Sequence, residues 1–239
     1  DTREENSRQI AEYVIASTLA FTKNLFNWKA ADHFPGLLWD AKWRNSMESL
    51  PGQTFLQIGM DKTGIEIAKF AQFFGLEVIG IDKERSFHPY CHKNLSIKDL
   101  HSVLPQADII SLHLPRTKET SGWFGIPELK LLKPDSILIV TGATPLFDHP
   151  IDPALLEPLK GVIIDSSYHA PMAPSSPLWQ LSNLIITPEV APRPKSQDRE
   201  AFKIFRYNLR QYIHGNFIDM KNLIDTKVEL EDTINIANI

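Results

Sequence analysis

The chain has 239 residues, of which 43% are hydrophobic and 23% charged, with a formal net charge of −4 and a single cysteine. This hydrophobic fraction is too high for a disordered chain, and no apolar run approaches the roughly 18–20 residues that a membrane span needs. One cysteine cannot form an internal disulfide, and a pI near 6.1 gives no general attraction to nucleic acid or acidic lipid. The composition therefore predicts a globular, cytoplasmic protein with no membrane span and no nucleic-acid partner.

Residues 1–50 are predicted to form a helix followed by an aromatic arm. Apolar residues recur at helical spacing from Ile10 to Phe21, and Asn6 or Ser7 is a suitable cap. Three of the five tryptophans and two phenylalanines follow: Phe26, Trp28, Phe34, Trp39 and Trp43. Such a cluster is either a satellite core or a buried subunit contact. We favour the contact, because aromatic residues are enriched in interface cores.

From Phe55 onward, short apolar runs alternate with helical stretches. The predicted strands are 55–58, 77–81, 108–112, 136–140, 161–164 and 183–186, and the predicted helices between them are 64–74, 97–104, 127–132 and 153–159. Near-continuous apolar strands that alternate with helices indicate a parallel sheet covered on both faces. We therefore predict an α/β fold with a doubly wound, Rossmann-like parallel sheet over residues 51–192, whose ligands bind at the carboxyl ends of the strands.

A last helix is predicted over residues 196–213, within a C-terminal unit of residues 193–239. One face of this helix is apolar and carries Phe202, Phe205, Leu209 and Tyr212. Another face is basic and carries Arg199, Lys203, Arg206 and Arg210. We interpret the basic face as solvated or ion-paired, because one basic face in an acidic chain is weak support for nucleic-acid binding.

Metal-ligand residue types occur close together near the middle of the chain. They are His88, Cys91, His92 and His101. No second pair has the spacing of a metal site, so we predict no metal centre. We interpret Cys91 as a buried or partly exposed thiol on the side of the sheet where adenine would bind.

The turn after the first strand, residues 59–64, reads Gly-Met-Asp-Lys-Thr-Gly and has the context of a dinucleotide-binding fingerprint. It follows a strand, opens a helix and precedes a second strand that ends in Asp82, an acid placed to bind ribose hydroxyls. Gly59 permits the tight turn, and Gly64 permits close packing of the helix on the strand. The middle position holds Asp61 instead of glycine, which adds bulk and negative charge where a pyrophosphate approaches.

The effect of Asp61 on a dinucleotide has two alternatives. In the first, its charge repels the phosphates by about 4 kcal/mol at about 4 Å and an effective dielectric constant of about 20, and Lys62 offsets part of that repulsion. In the second, its side chain turns away and caps the helix. Binding of NAD or NADP is therefore predicted as possible but weakened. The choice between the two stays open, because Asp82 would repel a 2′-phosphate whereas Lys83 and Arg85 are close enough to accommodate one.

Several short motifs occur in a set order along the chain. They are Asn6-Ser7 with Ala11-Glu12, the turn at 59–64, Ala-Asp-Ile-Ile-Ser-Leu-His-Leu-Pro at 107–115, Thr-Lys-Glu-Thr-Ser-Gly at 117–122, Leu132-Lys133-Pro134, Ser176-Pro177-Leu178-Trp179 and Ile186-Thr187-Pro188. In this order the chain resembles the cofactor domain of the D-isomer-specific 2-hydroxyacid dehydrogenases, from about residue 6 to residue 213. The resemblance implies their fold, a nicotinamide cofactor and a homodimer formed through residues 10–50.

The same resemblance implies roles for particular residues at the cofactor. Asp165 would meet the nicotinamide amide, Leu114 and Pro115 would pack near the ribose, and His113 and Thr120 would line the same crevice. With the residues of the turn, the predicted cofactor-binding set is Gly59, Asp61, Lys62, Thr63, Gly64, Asp82, His113, Leu114, Pro115, Thr120 and Asp165.

Chemistry in that family uses an arginine that clamps the substrate carboxylate, a glutamate and a histidine that acts as general acid and base. The matching positions here hold Ala143, Ala170 and Glu189, in that order, so none of the three is intact. Loss of a positioned acid or base costs about 10²–10⁴-fold in rate, and Glu189 places negative charge where an anionic substrate would lie. We therefore predict a catalytically inactive or altered module, a pseudoenzyme with a binding or assembly role.

Two other functions stay open. One is an active NAD(P)-dependent oxidoreductase acting on a 2-hydroxy acid or another CH–OH group, with Glu189 or His169 in altered roles and the substrate domain missing from this chain. Consistent with that, the chain begins Asp1-Thr2-Arg3 without an initiator methionine or a signal core, so we expect a fragment or a processed product. The other is a regulatory scaffold whose affinity for a partner follows the ratio of NADH to NAD.

Overall fold

A seven-stranded parallel sheet forms the centre of the fold in a computed structural model, which describes residues 3–26, 46–115, 117, 119–120, 122–142, 151–165, 175–192 and 197–221. The strands are β1 (Thr54–Ile58), β2 (Glu77–Asp82), β3 (Lys93–Ser96), β4 (Ile109–His113), β5 (Ile137–Thr141), β6 (Gly161–Asp165) and β7 (Leu184–Thr187). Their order is β3-β2-β1-β4-β5-β6-β7, and each neighbouring pair is parallel. The predicted doubly wound sheet is confirmed.

Five α-helices lie among the described residues, together with short 3₁₀ turns. The helices are α1 (Arg3–Thr22), α2 (Lys62–Phe73), α3 (Leu100–Val103), α4 (Ile126–Leu129) and α5 (Gln197–Ile213), and the turns are Ile97–Asp99, Leu104–Gln106, Pro153–Leu155, Pro177–Gln180 and Phe217–Asp219. Helix α1 begins before the predicted cap at Asn6 or Ser7. The cap prediction is wrong because both residues lie inside the helix. The Ser7 hydroxyl instead contacts the hydroxyl of Thr63 at 3.1 Å.

Alternate residues of each strand enter two cores on opposite faces of the sheet, as expected for strands buried on both sides. On one face, α1 and α2 pack against Phe55, Val78, Ile109, Ile137, Ile139 and Ile163. On the other face, α3, α4 and the 3₁₀ turns pack against Leu56, Ile58, Ile81, Ile110, Leu112, Leu138, Val140 and Ile164.

Several elements differ from the predictions. The helix predicted over 97–104 is a 3₁₀ turn followed by the short helix α3, and the helix predicted over 127–132 is limited to α4. Strand β3 was not predicted, because it is a polar edge strand whose pairing with β2 joins Ser96 to Asp82 without an apolar run. The helix predicted over 153–159 is only the 3₁₀ turn Pro153–Leu155. It stops there because the side chain of Asn183 donates to the carbonyl oxygens of Leu156 and Leu159, at 2.9 and 2.7 Å, in place of helical N–H groups.

The predicted C-terminal helix is present as α5, and its aromatic face is exposed. Phe202, Phe205 and Tyr212 are each about 60% accessible, at 61%, 60% and 61%. The basic residues Arg206 and Arg210 are also exposed, which agrees with a solvated basic face. No helix in the described part of the chain is both long and apolar enough to cross a membrane.

The aromatic arm is described only at its start. Phe26 stacks at a tilt on Phe21, with ring centroids 5.2 Å apart, and remains 46% exposed. Trp28, Phe34, Trp39 and Trp43 lie outside the described residues. The predicted division of the chain into three units, with boundaries at residues 50 and 192, remains a prediction.

The strand order places a crevice between β1 and β4. The chain leaves β1 toward β2 on one side and later enters β4 on the other side, so the direction of winding reverses there. Loops that follow the two strands therefore diverge and leave an opening at the carboxyl edge of the sheet. This opening is bordered by the turn at 59–64 and by the segment that begins at His113.

Candidate functional site

The turn between β1 and α2 has very close backbone contacts. Gly59 has φ +89, and its N–H donates to the carbonyl oxygen of Ile81 at 2.9 Å. A Cβ atom on Gly59 would lie 2.1 Å from the carbonyl oxygen of His113, and one on Gly64 would lie 1.9 Å from the carbonyl oxygen of Gly59. Neither position has room for a side chain, so both glycines are needed for the chain to pass between β4 and α2.

Asp61 caps helix α2. Its Oδ1 atom accepts hydrogen bonds from the N–H groups of Thr63 and Gly64, each at 3.0 Å. The first N–H groups of a helix have no partner within the helix and form the positive end of its dipole, so a carboxylate binds them well. Of the two alternatives left open by the sequence, the side chain therefore adopts the capping one. The amides that a phosphate would need carry the protein's own anion instead.

Buried polar groups support the turn from below. The amide nitrogen of Gln57, on the fully buried last part of β1, donates to the carbonyl oxygens of Ile58 and Gly59 at 3.2 and 3.1 Å. Ser7 of α1 and Thr63 of α2 are also buried and contact each other. Lys62 is exposed in the first turn of α2. These contacts hold the turn in place while leaving its outer surface toward solvent.

His113 lies at the other side of the crevice, at the end of β4. Its Nδ1 atom is 2.9 Å from the hydroxyl of Thr141, and its ring lies so close to Gly142 that a Cβ there would be 3.0 Å from Cε1. Burial lowers the pKa of His113 below its ordinary value of 6.5, and the negative charge of Asp61 opposes that change only in part. The imidazole is therefore neutral at pH 7 and does not balance the charge of Asp61.

The other predicted cofactor residues border the same edge. Asp82 is partly buried at the end of β2 and accepts from the N–H of Lys83 at 2.7 Å. Leu114 is half-buried beside Gly59, and Pro115 is exposed. The hydroxyl of Thr120 donates to the carbonyl oxygen of Pro115 at 2.6 Å. The Thr120 side chain therefore stabilises the loop after β4.

Asp165, at the end of β6, is fully buried and serves three protein donors. Its Oδ1 accepts from the Thr187 hydroxyl at 2.6 Å and from the N–H of Val190 at 2.8 Å, while Oδ2 accepts from the N–H of Ala191 at 2.9 Å. Because the Thr187 hydroxyl has one proton and gives it to Asp165, the Tyr13 hydroxyl, 2.7 Å away, is the donor to Thr187. Burial raises the pKa of Tyr13, which remains protonated.

The backbone conformation of Glu189 shapes the turn after β7. It has φ +54, an uncommon value for a residue with a side chain, and its N–H donates to the carbonyl oxygen of Thr187 at 3.0 Å. This turn directs the next two N–H groups, those of Val190 and Ala191, at the carboxylate of Asp165. Glu189, which the sequence predicts at the family's histidine position, thus contributes to the surroundings of a buried carboxylate through its backbone conformation.

Three residues named from the sequence lie outside the described part of the chain: Ala143, His169 and Ala170. Within the described ranges, no group of three or more His, Cys, Asp or Glu side chains is placed to hold a metal ion. Cys91 is partly buried, and burial raises the pKa of its thiol to about 11. Its Sγ lies close to β2, 2.8 Å from where a Cβ on Gly80 would be.

The carboxyl edge of the sheet therefore carries the carboxylates of Asp61, Asp82, Asp165 and Glu189 beside a neutral imidazole. Such an edge accepts hydrogen bonds readily and disfavours anions. The sequence reasoning missed Tyr13, Gln57 and Thr187 as contributors to this edge. Thr187 lies within a motif that was noted and Tyr13 follows another, but their contact joins residues 174 apart in the chain, which no local pattern predicts.

Removal of the Asp165 carboxylate is expected to destabilise the fold. Asp165→Ala leaves a hydroxyl and two buried N–H groups without an acceptor, at about 1–3 kcal/mol for each, so the free energy of unfolding should fall by about 3 kcal/mol or more. Urea unfolding of this variant, with the exposed Glu84→Ala as control, measures the loss. A loss within about 0.5 kcal/mol of the control would contradict the buried network, and Asp165→Asn, which keeps one acceptor, should lose less than Asp165→Ala.

The lowered pKa of His113 is expected to make stability depend on pH. Because the unfolded chain binds a proton at this residue more readily than the folded chain, stability is greatest above pH 6.5 and falls as the pH is lowered through the folded-state pKa. Urea unfolding at pH 8 and pH 5 should therefore show a smaller loss on acidification for His113→Asn than for the unaltered chain. The exposed His214→Asn serves as control and should lose as much as the unaltered chain. An equal loss in all three would remove His113 as the cause.

Comparison with known proteins agrees with this fold and edge. The family model described as the D-isomer specific 2-hydroxyacid dehydrogenase NAD binding domain matches residues 15–191. The glyoxylate reductase of Aeropyrum pernix is 27% identical over 232 residues, which are 91% of this chain and 66% of that protein.

Solved structures give the same picture. A D-isomer specific 2-hydroxyacid dehydrogenase family protein from Aeromonas salmonicida superposes with a TM-score of 0.74 at 25% identity, over 91% of this chain and 68% of that one. An NADPH-dependent glyoxylate/hydroxypyruvate reductase from Sinorhizobium meliloti, solved with NADP and sulfate, superposes with a TM-score of 0.74 at 20% identity, over 92% of this chain and 68% of that one. At that identity the second likeness shows the fold.

The chain spans about two thirds of the length of each of these relatives. The family model covers more than half of the chain, and its match includes the strands, the turn after β1 and the segment that follows β7. The chain therefore belongs to the D-isomer specific 2-hydroxyacid dehydrogenase family, through its NAD-binding domain.

Proposed function

We propose that this chain is a dinucleotide-binding-type module that has lost or altered the family's hydride-transfer chemistry and acts through binding or assembly. The observation that carries the proposal is the Asp61 cap, which fills the amides at the start of α2. A module built for rapid cofactor turnover would keep these donors for phosphate. Here they are already bonded to an internal anion.

The catalytic positions support the same proposal. An arginine clamp holds a substrate carboxylate with two charge-assisted hydrogen bonds, and alanine, which stands at position 143, can form neither. An ionised glutamate at position 189 only accepts hydrogen bonds and would repel an anionic substrate. The imidazolium of a histidine at this position would instead donate a proton to the substrate. With alanine also at position 170, the family's three side-chain roles would all be unfilled, and hydride transfer to a 2-oxo acid would lack both its clamp and its acid.

The cofactor fits this chain only in part. Gly59 and Gly64 permit the tight turn of a dinucleotide fingerprint, and the Asp82 carboxylate at the end of β2 is only partly buried and can meet ribose hydroxyls. The phosphate position does not fit while Asp61 caps α2. The remaining acceptor capacity of Asp165 is small, because three protein donors already use its two oxygens. We therefore expect weak binding of NAD or NADP, with adenosine ribose as the best accommodated part.

An active oxidoreductase remains the second candidate. It is favoured by the half-buried hydroxyls of Tyr13 and Thr187 beside Asp165, which form an ordered chain of proton donors at the edge where a nicotinamide would lie. In this alternative a substrate domain outside the present chain supplies further contacts. A cytoplasmic location stays a prediction for both candidates.

Binding by the Asp61 variants tests the first proposal. Asp61→Asn keeps a capping acceptor but removes the charge, and Asp61→Gly removes both, so the Kd for NAD, NADH and NADPH should fall in the order unaltered, Asn, Gly. The glycine variant frees two N–H groups for a charged phosphate, at about 1.5–3 kcal/mol for each hydrogen bond to a charged group. With about 1.4 kcal/mol for each factor of ten, a gain of about a hundredfold or more is expected. Titration calorimetry measures each Kd.

A second capping aspartate supplies the control. Asp152 caps the 3₁₀ turn that begins at Pro153 through the N–H of Ala154 at 3.0 Å, so Asp152→Asn tests the general effect of altering a cap. Equal Kd values for the unaltered chain and both Asp61 variants would show that Asp61 does not control binding. Turnover of glyoxylate with NADH or NADPH by the unaltered chain would instead favour the oxidoreductase.

We also propose a homodimer formed through residues 10–50. Leu25 and Phe26, just beyond α1, are about half exposed, at 53% and 46%, and they begin the aromatic arm. Light scattering at micromolar concentration should give twice the chain mass of 27.2 kDa. Phe26→Asp should shift the mass toward monomer, whereas Phe87→Asp, which alters a more exposed aromatic residue on another loop, should not. A monomer for the unaltered chain would rule the dimer out.

A further inference from the structure

Two neighbouring polar side chains of the sheet face the core beneath α1 and α2. Gln57 of β1 and Ser111 of β4 are register partners. Both side chains are directed toward the two helices, because Phe55 and Ile109, two residues earlier on the same strands, belong to that core. Both are fully buried. A pair of polar groups therefore lies side by side in a mostly apolar interior.

Each of the two side chains has an oxygen atom without a hydrogen-bond partner among the described residues. The nitrogen of the Gln57 amide donates to the carbonyl oxygens of Ile58 and Gly59. Because carbonyl oxygens only accept, the nitrogen must lie at that end of the amide, and Oε1 lies at the other. Within the described ranges, Oε1 and the Ser111 hydroxyl oxygen are both buried and unpaired. Each such group is costly, so the pair calls for a partner.

The pair lies beneath the seam, the line along which α1 and α2 meet on the sheet. Helix α2 lies over β1 and β2 and helix α1 lies over β5, so β4 runs below the seam. Ser111 stands there between the longer side chains of Gln57 and Ile139 and fills less of the seam than either. At its carboxyl end the seam is bridged by the hydroxyls of Ser7 and Thr63, 3.1 Å apart.

A water molecule matches the chemistry of these groups. Buried waters make about three hydrogen bonds, chiefly to polar groups that the protein leaves unpaired. The Gln57 Oε1 atom can only accept, whereas the Ser111 hydroxyl can donate or accept, so water can donate to the first and accept from the second. A hard cation fits poorly, because it needs about six or more oxygen ligands and neither group carries charge.

We propose that one water molecule is bound in the seam, where it donates to Oε1 of Gln57 and accepts from the hydroxyl of Ser111. This water joins β4 to the Gln57 amide, whose nitrogen supports the turn after β1. The two strands are thereby linked a second time, below the contact of Gly59 with His113. The inference is independent of the proposed function, since this link supports the turn whether or not a dinucleotide binds.

Urea unfolding separates a bound water from an unpaired hydroxyl by the sign of the effect. With water bound, Ser111→Ala removes one of its partners, and the equilibrium constant for folding should fall about tenfold. Without water, the same change removes a buried unpaired group, and the constant should rise. Ser136→Ala is the matched control, because Ser136 is also fully buried and its hydroxyl oxygen has no partner in the described part of the chain.

The control variant should not lower the folding constant, because Ser136 has no second unpaired oxygen on a neighbouring strand among the described residues. A constant for Ser111→Ala that is unchanged or raised would overturn the inference. An equal fall in both variants would overturn it as well, since it would reflect a general need for serine at buried strand positions.

NMR of the unaltered chain gives a second readout that needs no variant to fold. The side-chain amide protons of Gln57 should show a rotating-frame Overhauser effect with the water signal, whose sign separates close contact from proton exchange. Ser111→Val, which replaces the hydroxyl with methyl groups, should abolish the effect. Its absence in the unaltered chain would show that the seam is dry and that the inference is wrong.

Discussion

The candidate site depends on the approach of two backbones at the carboxyl edge of the sheet. Gly59 lies so close to the carbonyl oxygen of His113 that any side chain would collide with it, and the φ of +89 at Gly59 is itself a conformation that favours glycine. This contact joins the end of β1 to the end of β4. It sets where α2 begins, how His113 is buried and how wide the crevice is.

At that same turn, the Asp61 carboxylate stabilises the fold by binding N–H groups that an anionic ligand would need. A good N-cap stabilises a helix by about 1 kcal/mol, and Asp61 provides one with two hydrogen bonds. Those two N–H groups are the strongest anion-binding feature that a helix start offers. Packing requires glycine at positions 59 and 64, whereas the middle position has room for the Asp61 side chain.

A buried carboxylate also supports the fold around β6 and β7. Asp165 joins a helix, two strands and the turn after β7 through Tyr13, Thr187 and the N–H groups that follow Glu189. Loss of that carboxylate would leave buried donors unpaired, so the fold itself keeps it in place. The backbone conformation of Glu189 directs two of these N–H groups, those of Val190 and Ala191, at the same carboxylate.

The sequence by itself determined the α/β class, the sheet, six of its seven strands and the family, because apolar periodicity and short ordered motifs are local signals. It also located the turn at Gly59 and the unusual residue within it. The direction of the Asp61 carboxylate follows from the packed fold, and so does the hydrogen bond between Tyr13 and Thr187, which are 174 residues apart in the chain. Strand β3 could also be recognised only in the folded structure, because a polar edge strand is defined by its hydrogen bonds to the neighbouring strand. Hydrogen bonds between distant residues follow from where the helices and strands pack, which no local pattern encodes.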